Sequence, residues 1–230
     1  MEIVLLIGSI IGIVNSFILI IYALTTKKGQ KTTNYIFAFL ILMLTIRISK
    51  SIVVSFSLEL HDFLITIGLA GFLAIGPSYY LLAQSIVKEK FKVSIKHITH
   101  LIPAILLIAL WFLIDDLRSS WDYWHLFYRL ILLQYMIYMT VTVFNINLSD
   151  FNRKDLINQL NIVGYFLAAI WFLYLLNDVS GFPYISGAIL YSIIIYFSLV
   201  IIINKGFIIN GSNPKYKNTG LKEEEKSRSG

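Results

Sequence analysis

The sequence predicts an all-α, polytopic membrane protein: a bundle of seven transmembrane helices, with the N-terminus outside and the C-terminus cytoplasmic. Three observations predict it. Hydrophobic residues make up 57% of the 230 and charged residues 14%, where an ordinary soluble domain is about half apolar and a quarter charged, and the mean hydropathy is +0.76. The apolar residues fall in continuous runs, most of about 20 residues, the length that crosses ~30 Å of hydrocarbon as a helix. They are twice as long as a barrel strand, which excludes a β-barrel. The basic residues gather in alternate connections.

The first run, residues 3–25, follows Met1-Glu2 directly. It lacks the basic region of a secretory signal peptide, so it is read as a retained helix. Gly8-Ser9-Ile10-Ile11-Gly12 within it is a spacing that allows close helix approach and leaves a homodimer open. The second run, 35–57, carries Arg47 near its middle and Lys50 three residues on, on the same helix face. The third, 63–87, contains Gly76-Pro77. Proline removes a helix hydrogen bond and clashes one turn back, so a kink or break is expected here, with Gly76 and Pro77 as a candidate hinge.

The fourth run, 101–114, and the sixth, 161–177, are short, and each gains a turn if residues 98–100 and 160 join them. The fifth, 123–145, holds Arg129 two turns in from its outer end, with Tyr128, Tyr135 and Tyr138 on roughly one side. Span six carries Trp171, Tyr174 and Asp178 at i, i+3 and i+7, a stripe running outward. Span seven covers 184–204. Residues 1–204 are thus the membrane module, and 205–230 a basic and acidic cytoplasmic tail.

Charge tests this map independently. With the tail inside, the cytoplasmic segments hold Lys27, Lys28, Lys31, Lys88, Lys90, Lys92, Lys96, Arg153, Lys154, Lys205, Lys215, Lys217, Lys222, Lys226 and Arg228, which is 15 of the 19 basic residues. The outer segments hold only Arg118, and they carry Glu59, Asp62, Asp115, Asp116 and Asp122. This asymmetry follows the positive-inside rule. The net charge of +6 is accounted for by topology and anionic inner-leaflet lipid, so no nucleic acid is expected to bind this chain. The lipid bilayer is its expected partner, in a bacterial inner membrane. Trp111, Trp121 and Trp124 stand where an outer aromatic belt belongs.

Charges inside spans are costly and usually face protein or water. Lys50 and Arg129 also have an ordinary alternative, snorkelling to the outer headgroups. Arg47 is too deep for that and is expected to pair inside the bundle, with Asp178, Asn177 or Asp62. An outer-half cavity lined by Arg47, Lys50, Arg129, Tyr174 and Asp178 is the candidate signal-binding cluster. Stripes of this kind are more often packing residues.

Enzyme chemistry finds little here. The chain has no cysteine, which excludes thiolate metal sites and Cys nucleophiles. His61, His97, His100 and His125 form no metal set, and no HExxH or Gly-rich phosphate loop occurs. No cofactor is expected.

The stretch Ile75-Gly76-Pro77-Ser78-Tyr79-Tyr80-Leu81-Leu82, then Ser85-Ile86-Val87, a basic turn, and Lys96-His97-Ile98-Thr99-His100-Leu101-Ile102-Pro103, resembles the core of a bacterial family of membrane-embedded AraC-type helix-turn-helix regulators. Asn34, Phe37–Leu42 and Arg47-Ile48-Ser49-Lys50 are similar to that family's second span. The segment from Pro214 to Glu225 looks like its junction with a DNA-binding domain. The resemblance covers residues 3–226. It implies the membrane input module of a one-component regulator, responding to an unknown small-molecule or membrane-borne signal. This sequence ends at Gly230, so the family's DNA binding carries over to no residue. Two other expectations stand beside it: a small transporter or channel-like bundle, against which no internal repeat is found, and an inert fragment.

Overall fold

A computed structural model of the chain describes residues 2–26, 30–56, 62–88, 91–113, 121–147, 154–183 and 185–205. The described residues are all-helical. Helix α1 spans Glu2–Thr25, α2 Lys31–Ser55, α3 Asp62–Val87 and α4 Ile95–Ile98. A 3₁₀ turn, Thr99–Leu101, leads from α4 directly into α5, Ile102–Leu113. Then follow α6 (Trp121–Asn147), α7 (Lys154–Ser180) and α8 (Ile185–Lys205). Five of these, α1, α2, α3, α6 and α7, are long and apolar enough to cross a membrane, and Ile95–Leu110 and Ser186–Leu199 are shorter apolar stretches. The tail after residue 205 lies outside the described residues.

Helix α7 begins at Lys154 rather than at residue 161. Asp155, Asn158, Gln159 and Asn161 lower the hydropathy there without breaking a helix, which can extend past the apolar core on polar side chains. Its other end is set by Gly181, whose φ of 67° is the left-handed conformation of a helix stop. Pro183 follows and cannot continue the turn.

Helix α3 is the hub. It packs against α2, α5, α6 and α7, while α1 lies on α2 and α8. Of the apolar stretch of α3, 72% is buried, against 28% for α1 and α6 and 22% for α7. Outward residues on α1 and α6, such as Ile3, Ile21, Leu133 and Phe144, are exposed. An apolar surface of this kind belongs against lipid.

Of the kink or break expected at Gly76-Pro77, the break does not occur: α3 continues through Pro77. Proline lacks the N–H that would bond the Leu73 carbonyl one turn back. The side-chain amide of Gln134, on α6, donates to that carbonyl instead, at 3.2 Å. A neighbouring helix thus satisfies the freed acceptor, as a membrane interior requires. Gly76 has a packing role, since a Cβ there would stand 2.9 Å from Cβ of Tyr138. Gly12 of the Gly8–Gly12 pair is likewise taken up inside the chain, directly against Ser192 of α8.

Candidate functional site

Arg47 sits in the middle of α2 with no exposed surface. Its guanidinium carbon lies 4.1 Å from the centroid of the Tyr174 ring on α7, 4.7 Å from Phe72 on α3 and 5.9 Å from Tyr128 on α6. These are cation–π distances, and the attraction grows when the pair is removed from water. The rings also support one another: Phe72 lies 5.4 Å from both Tyr135 and Tyr174. Four helices therefore converge on one buried cation.

A hydroxyl network completes the site. Nη1 of Arg47 donates toward Ser51 Oγ at 3.5 Å, and Ser51 Oγ lies 2.9 Å from the Tyr174 hydroxyl. Ser51 also donates to the Arg47 carbonyl, at 3.3 Å. A serine hydroxyl has one proton. When that proton goes to the carbonyl, the Tyr174 hydroxyl donates to Ser51. The Tyr174 ring rests on Gly187 of α8, where a Cβ would stand 2.9 Å from Cζ.

One turn outward, Arg129 Nε donates to Asp178 Oδ2 at 3.1 Å. The Arg129 side chain is 66% exposed and that of Asp178 8%. This corrects the expected pairing of Arg47 with Asp178. Helix α7 presents Tyr174 at the depth of Arg47, and its carboxylate comes a turn later, level with Arg129. Asn177 is also turned elsewhere, donating to the Phe182 carbonyl at 2.6 Å. The Asp62 side chain lies outside the described residues.

The predicted residues thus fall into three places. Arg47 and Tyr174 share the ring cage. Arg129 and Asp178 form an outer pair, linked to the cage by Tyr128, whose hydroxyl donates to the Tyr174 carbonyl at 3.3 Å. The stem of Lys50 instead lies along α3 at Gly68, where a Cβ would be 2.6 Å from Cβ of Lys50.

Sequence reasoning missed Phe72 and Ser51, and a second buried knot. There the Tyr191 hydroxyl of α8 lies 2.8 Å from Ser16 Oγ of α1 and 3.0 Å from Thr45 Oγ1 of α2. Ser16 and Thr45 also donate to carbonyls of their own helices, so nothing in the sequence marks them. It missed, too, the aromatic donors that reach main-chain carbonyls across helix interfaces. Tyr79 donates to Leu160 at 2.9 Å, Tyr135 to Leu167 at 3.0 Å and Trp171 to Leu132 at 2.9 Å.

At the opposite end, His97 closes a capping box on α4: the Ser94 N–H donates to its Nδ1 at 3.0 Å. Burial, with Lys88 and His100 nearby, holds its pKa below the ordinary imidazole value. Among the described residues no group of three or more metal-ligating side chains occurs. Comparison with protein-family models, with curated proteins and with solved structures finds no match for this chain.

Proposed function

We propose that the chain is the membrane-embedded input module of an AraC-type one-component transcriptional regulator, with seven spans, the N-terminus outside and the tail in the cytoplasm of a bacterium. The seven runs, the positive-inside asymmetry and the family-like stretches on α2 and α3 support this reading. One observation carries the mechanism. Tyr174 is held from three sides, by Arg47 over its ring, Ser51 on its hydroxyl and Gly187 beneath it. A signal that re-seats Arg47 moves Tyr174 against α8, the helix that leads to the cytoplasmic tail. The signal need only favour one arrangement of α7 and α8 over another.

The test is a chimera carrying an AraC-type DNA-binding domain after Lys226, with a promoter reporter. Arg47→Met and Tyr174→Leu are expected to shift basal output several-fold, while the lipid-facing Leu133→Ala leaves it unchanged. Output indifferent to all three, in chimeras inserted at equal levels, sinks the proposal. A transport path through Arg47 is the weaker reading, because Phe72 and Tyr174 occupy the space against its guanidinium.

A further inference from the structure

The basic end of the bundle carries a groove that the regulatory reading leaves unused. It lies between the start of α2, the end of α3 and α4, and has a volume of about 350 Å³. That falls within the roughly 300–1,000 Å³ of small-molecule sites. Its walls are mostly apolar, among them Ile36, Phe39, Leu81 and Leu101, and its polar lining includes Thr32, Lys92 and His97. Lys92 and Lys96 are exposed, and the segment 88–97 carries four lysines against one carboxylate, Glu89. Tyr35 lines this groove and also a neighbouring recess of about 280 Å³ that holds Lys31. His97 accepts the Ser94 N–H on Nδ1, so its neutral ring carries the proton on Nε2 and offers a second donor.

Each simpler occupant satisfies only half of this lining. A soluble anion would neutralise Lys92 and leave the apolar walls wet. A neutral lipid would cover the walls and leave the cluster of lysines without a counter-charge. Lysine is a point-charge partner suited to phosphate, and basic pockets at the edge of helical bundles suit lipid headgroups.

We propose that this groove is a binding site for an anionic phospholipid, with an acyl chain along Ile36, Leu81 and Leu101 and the phosphate at Lys92 and His97. The proposal rests on the chain being a membrane bundle and is independent of the regulatory reading.

Native mass spectrometry of the full chain, extracted in detergent and loaded from equimolar phosphatidylglycerol and phosphatidylcholine, tests it. Wild type is expected to retain phosphatidylglycerol several-fold over phosphatidylcholine. Lys92→Gln, on an exposed turn, should bring the two to parity, whereas Lys154→Gln should leave the preference intact. Ile98→Trp, which fills the groove from its half-exposed wall, should reduce retention of both lipids. If that variant does not fold, Lys92→Gln alone decides between the outcomes. Equal retention of the two lipids by wild type overturns the proposal, as does a Lys92→Gln protein that keeps the preference. Glycerol phosphate that displaces the lipid as well as phosphatidylglycerol does would also overturn it, because it would reduce the site to a headgroup contact.

Discussion

A guanidinium exposed to lipid at mid-depth costs on the order of 3 kcal/mol on insertion scales. Among the described residues, Arg47 meets three rings and a serine at that depth. The energetic partner of Arg47 should therefore be Tyr174. A double-mutant cycle of Arg47→Met and Tyr174→Leu, read as detergent unfolding free energies, is expected to give a coupling of about 1–2 kcal/mol, as for a desolvated cation–π pair. The cycle of Arg47→Met with Asp178→Asn should be additive within about 0.5 kcal/mol. A large coupling there would restore the direct ion pair.

A second residue-scale expectation concerns His97. Its pKa is depressed, and its neutral Nδ1 accepts the cap of α4. The cap is therefore intact above the ordinary imidazole pKa and is lost as pH falls through the lowered value. The protection of the Ser94 amide against hydrogen exchange should fall under those conditions, so that its rate declines less steeply with pH than the intrinsic rate does. His97→Ala should exchange fast at every pH, and a wild-type rate that simply follows the intrinsic trend would sink the idea.

At the scale of helices, Pro77 and Gln134 form one device on two elements, the proline freeing an acceptor and the amide occupying it. Interhelical hydrogen bonds in membranes average about 0.6 kcal/mol and reach about 1.7 kcal/mol. Gln134→Leu should accordingly destabilise the Pro77 protein more than the Pro77→Ala protein, by about 0.5–1.5 kcal/mol. In the alanine background the restored N–H serves Leu73 itself. Equal effects in both backgrounds would show that the contact contributes nothing.

This device also marks where the sequence stops being legible. Helix positions followed from apolar run length, since hydrocarbon thickness imposes it. The presence of Pro77 was legible, but its consequence depended on what faced it, and a single sequence does not say which span lies opposite. Glycine was ambiguous for the same reason: it permits bending and close approach alike, and Gly76 serves the approach of Tyr138. The ring cage was half legible. Arg47 and Tyr174 stood out, whereas Phe72 looks like any lipid-facing phenylalanine until α3 is placed beside α2. One cue was available, because a cation too deep to snorkel in a span poor in acids asks for rings at its depth.

For the whole molecule, the absence of cysteine makes single-cysteine mapping direct. Cysteines at the exposed positions Lys31 and Val93, and at Asn152, are expected to react with an impermeant maleimide only after the membrane is opened. Those at Glu59 and Ser119 should react in intact spheroplasts. Labelling of Val93 from outside would overturn the seven-span map and its orientation.

The aromatic donors on α3, α6 and α7 act as pawls on a toothed rack. Tyr135 catches a carbonyl of α7 while Trp171 of α7 catches one of α6, and Tyr79 of α3 catches α7 from a second side. Along a helix the next carbonyl on the same face comes a full turn away, about 5.4 Å. A slide of about half a turn would unlatch every donor and re-latch none. Helix α7 is thereby denied a graded piston stroke. It can pivot about its catches or jump a whole notch, so displacements along its axis come in discrete steps.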